Sequence, residues 1–289
     1  MAMTMKTRRI LALAAAAATA LALGACTVGR FAYNNASPVV TYMVDDYFDL
    51  SGNQEGWVRT RFERLQDWHR THELPAYQAD LRDAVARTER PLTIEDARWV
   101  NRTLRAYYKR MVEQALPDMA DLLMQLDGEQ AQHFEQRFAK ESAKIEKENG
   151  KGDAAEREKK RAEKLIDQVE TYTGRLDDHQ RDLVRGRVHF MTDVSQMRLA
   201  DRQRRQHIVA ELVRSKPAKP EMVAGLRRVL IDTESWRSPE YTKAIARRDE
   251  EVAEMMVQLA ATWTPDQREH VQKKLRGYLS DVSALIATR

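Results

Sequence analysis

The chain has 289 residues, 32% of them charged and 43% apolar, with a formal net charge of +4 and one cysteine. A single cysteine excludes an internal disulfide framework, so stability must come from packing. Both signs of charge are interspersed, which suits solvated helices and offers no basic face for nucleic acid.

The first segment in chain order is an address. Lys6, Arg8 and Arg9 precede an apolar run, Ile10–Leu23, followed by Gly24, Ala25 and Cys26. A positive start, a short apolar stretch and small residues form a secretory signal peptide. The run has 14 residues, and a spanning helix needs about 20. Removal of residues 1–25 takes away three basic residues and no acidic one, so the net charge falls from +4 to +1. Either Met1 or Met5 can serve as the start.

Beyond the leader no stretch alternates with period two, whereas helical spacing recurs. Val58, Phe62, Leu65 and Trp68 form one stripe, and Val100, Leu104, Tyr107 and Met111 a second. Phe134, Phe138 and Ile145 continue it, then Leu165, Val169 and Tyr172, then Val271, Leu275, Tyr278, Val282 and Leu285. Each stripe needs a partner surface. Ser37-Pro38, Ser238-Pro239 and Thr264-Pro265 read as N-caps with proline at the first helical position. Pro75, Pro91 and Pro117 are expected at breaks. "NGKGD" at 149–153 reads as the loop of a helical hairpin, and the charge-dense stretch 139–168 as a hairpin projecting from the body.

One helix-starting device recurs. "LSGNQ" begins at Leu50, "LTIED" at Leu92, "LDGEQ" at Leu126, "LDDHQ" at Leu176 and "WTPDQ" at Trp263. Ser51, Thr93, Asp127, Asp177 and Thr264 are the expected caps, and the Gln or Asp three residues on can reach back, as in a capping box. Eight positions after the first residue stands Val58, Val100, Phe134, Val184 or Val271. The intervals are irregular, so this is no solenoid.

Three resemblances rest on these residues. "LGAC" resembles the bacterial lipobox, which implies that Cys26 is acylated and becomes the first residue after cleavage; Thr27 after it implies the outer membrane rather than inner-membrane retention. The five helix starts resemble the LTxxQ motif of Spy/CpxP-type periplasmic chaperones. "YNNASPVVTYMVDDYFDLSGNQ", "LQDWHRTHELPAY" and "LPDMADLLMQLDGEQ" resemble a family of uncharacterised bacterial lipoproteins with a domain of unknown function, over roughly residues 20–235. That family implies lipid anchoring and helical structure and supplies no activity.

Other clusters have plain structural readings. Asp45, Asp46 and Asp49 lack the glycine turn and ligand number of a calcium loop; they are expected on the polar side of a short helix whose apolar side is Val40, Met43, Tyr47 and Leu50. Arg59, Arg61 and Arg64 are their expected partners. His69, His72 and Glu73 have the wrong spacing and order for a metalloprotease helix and are expected at a helix end, next to Trp68. No serine-nucleophile signature or phosphate loop occurs.

These observations predict an all-α antiparallel bundle that can be elongated: leader 1–25, acylated Cys26 and a tether to residue 36, and a helical domain over 37–289 with a subdomain boundary near 214–220. The expected function is non-enzymatic and without cofactor or metal. It works through the bilayer at Cys26 and through protein partners at the periplasmic face of the outer membrane, as a chaperone-like or assembly factor or, alternatively, as a structural tether. The cluster Asp45, Asp46, Asp49, Arg59, Arg61, Trp68 and His69 is the candidate interaction or structural surface.

Overall fold

The computed structural model describes residues 29–288, so the leader and Cys26 lie outside the described residues. Eleven α-helices and no strand occur among them, an all-α bundle. They are α1 (Ala36–Phe48), α2 (Gly52–Trp68), α3 (Leu74–Arg87), α4 (Ile94–Gln125), α5 (Gly128–Asn149), α6 (Ala154–Thr173), α7 (Asp178–Phe190), α8 (Ser195–Ser215), α9 (Lys219–Leu230), α10 (Pro239–Ala261) and α11 (Pro265–Ala287). No described helix is long and apolar enough to cross a membrane.

The apolar residues gather in two places. Leu116, Ala120, Leu123 and Leu126 at the end of α4 meet Val213 of α8 and Met222 and Leu226 of α9. Phe48 links this cluster to Leu50, Val58 and Leu122. Ala162, Ile166 and Val169 of α6 meet Val184 and Val188 of α7 and Met255 and Leu259 of α10. Each fully buried Leu, Ile or Met contributes about 1.5–3 kcal/mol through removal from water. The stretch 214–220 holds the end of α8, the turn 216–218 and the start of α9, and Val213, Met222 and Leu226 on its two sides share one cluster.

Two long elements join the clusters. α4 packs its N-terminal half against α10 and its C-terminal half against α9. α2 runs into α3 through a π-helical turn, His69–Glu73, in which the Leu74 amide donates to the His69 carbonyl five residues back. α3 lies against α11, with the Arg268 and Gln272 side chains donating to the Thr88 carbonyl at one end and Arg70 to the Leu285 carbonyl at the other.

Several local expectations are corrected. The helix does not end at "HRTHE": the π turn carries it on, and Pro75 sits in the first turn after it. Pro117 lies inside α4. A proline there removes one helix hydrogen bond, at about 3 kcal/mol; burial of Leu116, Ala120 and Leu123 around it offsets that cost. Ser37 caps nothing. It is buried within the helix, and its hydroxyl donates to Glu63 at 3.3 Å. The inner side of α1 is Ser37, Val40, Val44 and Phe48, and Met43 faces outward. The helices flanking Gly150–Asp153 pack on different neighbours, α5 on α8 and α1, α6 on α7 and α11. The solvated stretch is therefore 143–161, pinned by buried Ser142 and Ala162. The tether is also shorter than expected. Residues 29–34 are helical, Arg30 pairs with Asp281 at 3.3 Å, and the Tyr33 hydroxyl shares a 3.0 Å hydrogen bond with His69 Nδ1.

Candidate functional site

Four of the five helix starts meet in pairs. Gln54 and Gln130 exchange side-chain amide hydrogen bonds at 3.1 and 2.6 Å, and Gln180 and Gln267 do so at 2.8 Å in both directions. Each amide also donates to the carbonyl two residues before the other motif's cap. Gln130 reaches Asp49 at 2.9 Å, Gln54 reaches Gln125 at 3.5 Å, Gln180 reaches Thr262 at 3.0 Å, and Gln267 reaches Arg175 at 2.9 Å. Each side-chain oxygen takes the amide of its own cap residue, at 2.9–3.1 Å. An amide has two donors and an acceptor oxygen with two lone pairs, and this local two-fold arrangement uses them. The capping boxes stand at Ser51, Thr93, Asp127, Asp177 and Thr264.

The fifth start, on α4, has no such partner. Asp96 replaces the glutamine. Its buried carboxylate accepts from Arg90 at 2.7 and 2.8 Å, from Arg87 at 2.6 Å, and from the Thr93 amide and hydroxyl at 2.8 Å. Arg90 first, then Thr93 and Arg87, hold its pKa far below the usual carboxylate range against the opposing effect of burial. In the paired starts the residue eight positions on is buried (Val58, Phe134, Val184, Val271); here Val100 is 46% exposed. Leu104 and Tyr108, on the same side of α4, are 59% and 51% exposed.

This face is one wall of an open apolar groove of about 640 Å³. Val252, Ala253, Met256 and Val257 of α10 form the facing wall, with Trp99, Trp263 and Leu275 between. The size lies in the usual range of ligand clefts, 300–1,000 Å³. Two ion pairs, Arg98–Glu250 and Arg105–Asp249, bridge α4 to α10 across it. They are exposed, and surface pairs of this kind contribute little to stability. An open apolar trough bridged by such clasps can take up an apolar segment without breaking a core.

The acidic, arginine and histidine clusters singled out from sequence lie elsewhere. Asp45 accepts from the Leu50 amide at 2.8 Å, and the Asp49 carbonyl accepts from Gln130. Asp46 pairs with Arg137 of α5 at 2.7 Å, not with α2. Arg61 and Arg64 turn to Asp118 instead, at 3.7 and 2.8 Å, and Arg59 is exposed. The aspartates therefore do not converge, and no metal-holding group of His, Cys, Asp and Glu occurs among the described residues.

Trp68 stacks on His72 at the π turn, and His69 packs edge-on to Tyr77 with ring centroids 5.2 Å apart. Tyr77 lies 4.0 Å from Tyr107. Beneath them buried Glu73 takes both arms of Arg110 at 2.7 Å. Burial pushes Tyr77 up to about 12, with Glu73 adding to it, and lowers His69. Neutral rings around one fully paired ionic bridge make a structural knot, which docks the N-terminal turn through Tyr33. The Glu73–Arg110 pair and the amide pairs had no signal in the sequence beyond residue type, because their partners are set by topology.

A model of the family of unknown function DUF6279 matches residues 46–242, more than half of the chain. The chain belongs to this family. No curated protein and no solved structure matches it. The DUF6279 segment contains four of the five helix starts and the α4 wall of the groove. It ends four residues into α10, so the facing wall and Gln267 lie beyond it.

Proposed function

We propose that the chain is a non-enzymatic envelope lipoprotein, held by acylated Cys26 at the periplasmic face of the outer membrane, which grips an apolar segment of a protein partner in the α4–α10 groove as a chaperone-like or assembly factor. The carrying observation is the open groove at the one helix start with no counterpart. The α4 stripe needs a cover, and its Val100 and Leu104, with Tyr108 beside them, are left exposed among the described residues. The paired starts add support for kinship with LTxxQ-type chaperones, and the lipobox resemblance supports the anchor.

The test is photocrosslinking in cells from Leu104 and Tyr108, with exposed Lys243 as a control outside the groove. One recurring envelope protein at the groove positions marks an assembly factor, and many clients captured under unfolding stress mark a chaperone. Capture equal to that at Lys243 overturns the groove reading. The tether is the second reading, favoured by the solvated charged stretch 143–161. Removing 144–160 spares buried Ser142 and Ala162, and on this reading it releases the protein from the envelope component it links.

A further inference from the structure

The outward face of the first helix carries a signal the groove does not use. From Phe31 to Val44 the chain has no charged residue, in a protein where charges make up 32%. The inner side of this segment is accounted for by Ser37, Val40, Val44 and Phe48, which face α2 and α5. The outer side presents Phe31, Val39, Tyr42 and Met43, each 55–70% exposed, with Ala32, Asn35 and Pro38 between them. A stripe of this kind on a soluble surface marks a contact.

Where the chain outside the described residues lies decides what the contact is. Cys26 stands three residues before Gly29, and the apolar run Ile10–Leu23 stands before it. Three residues reach at most about 11 Å. Acylation at Cys26 thus puts the bilayer within that distance of the first helical turn.

We propose that the Phe31–Val39–Tyr42–Met43 face beds into the lipid surface beside the anchor, as a second membrane contact. The inference rests on the membrane anchoring of Cys26 and is independent of the groove. An amphipathic helix in the interface buries its apolar side about 5–10 Å deep, and a tyrosine suits the headgroup level. Because the face is uncharged, its hold comes from apolar burial and needs no anionic lipid. The contact fixes how the body is turned on the membrane, which acyl chains on a single residue cannot do.

The test uses the full lipidated chain in phosphatidylcholine vesicles. A nitroxide is attached to a cysteine introduced as Val39→Cys, Tyr42→Cys or, as a solvated control, Lys147→Cys. At 39 and 42, oxygen is expected to relax the label more than a water-soluble nickel chelate does, the reverse of the ratio at 147. A Tyr42→Glu change should bring the label at 39 back to the aqueous ratio. Aqueous ratios at both positions overturn the proposal. So does spin–spin broadening that disappears on dilution with unlabelled chain, which would assign the face to a second copy. Two labels per chain would show a free Cys26 thiol and sink the anchoring reading itself; a Cys26→Ser background then still reads the depth of 39 and 42.

Discussion

His69 is half-buried between Tyr33, Tyr77 and the π turn, and that burial lowers its pKa; Glu73 opposes the effect and Arg70 adds to it. In the unfolded chain it titrates near the ordinary value of about 6.5. Between that value and the lower folded one, the unfolded state binds the extra proton. Its contribution to stability is therefore complete above about pH 6.5 and is lost as pH falls towards the folded pKa. The urea midpoint should drop between pH 7 and pH 5, and drop less in His69→Gln. Equal drops would place the titration elsewhere. Asp96 has the same sign with a different window: its pKa lies far below the carboxylate range, so its contribution is present above about pH 4 and fades only in stronger acid. The two effects are separable by pH.

At the scale of elements, the glutamine pairs join helix starts that lie far apart in sequence. Gln180 is fully buried. Removing it orphans Gln267 and the Thr262 carbonyl, at about 1–3 kcal/mol for each unsatisfied group. Gln180→Leu and Gln267→Leu should each destabilise by about that amount, and the double variant by less than the sum. A coupling of about 0.5–3 kcal/mol in a urea double-mutant cycle is expected; strict additivity would refute the pairing. The caps behind these pairs were legible from five-residue windows, because a cap and its back-reaching side chain are local. The pairing was not, since it needs two helix starts brought face to face. The same limit explains the errors. "HRTHE" and Pro117 read as ends because composition records the missing donor and not the π turn or the burial that absorbs it. Proximity in sequence pairs Asp46 with α2, whereas Arg137 reaches it from α5.

For the molecule as a whole, the all-α class followed from the apolar stripes, and the groove was half legible. The spacing of Val100 and Leu104 showed a face in need of a partner. Nothing in it showed that α10 would leave a groove open beside them, bridged at its rim by ion pairs. Those clasps carry a prediction of their own. Asp249→Asn with Glu250→Gln should raise uptake of an apolar fluorescent dye severalfold, high salt should do the same to the parent chain, and Leu104→Glu should abolish the signal. Uptake unchanged by both clasp removal and salt would mean that the ion pairs do not guard the groove.

The amide pairs also bear on how the chain folds. Their members are 76 and 87 residues apart in sequence. Helical turns close in about a microsecond, whereas contacts between distant segments must first meet the entropy of long loops. The capped helices can therefore form early and independently, before the two glutamine contacts close. Interactions made after the rate-limiting step leave the folding rate nearly untouched and slow unfolding. This order makes assembly quick and, once the amides have met, opening slow.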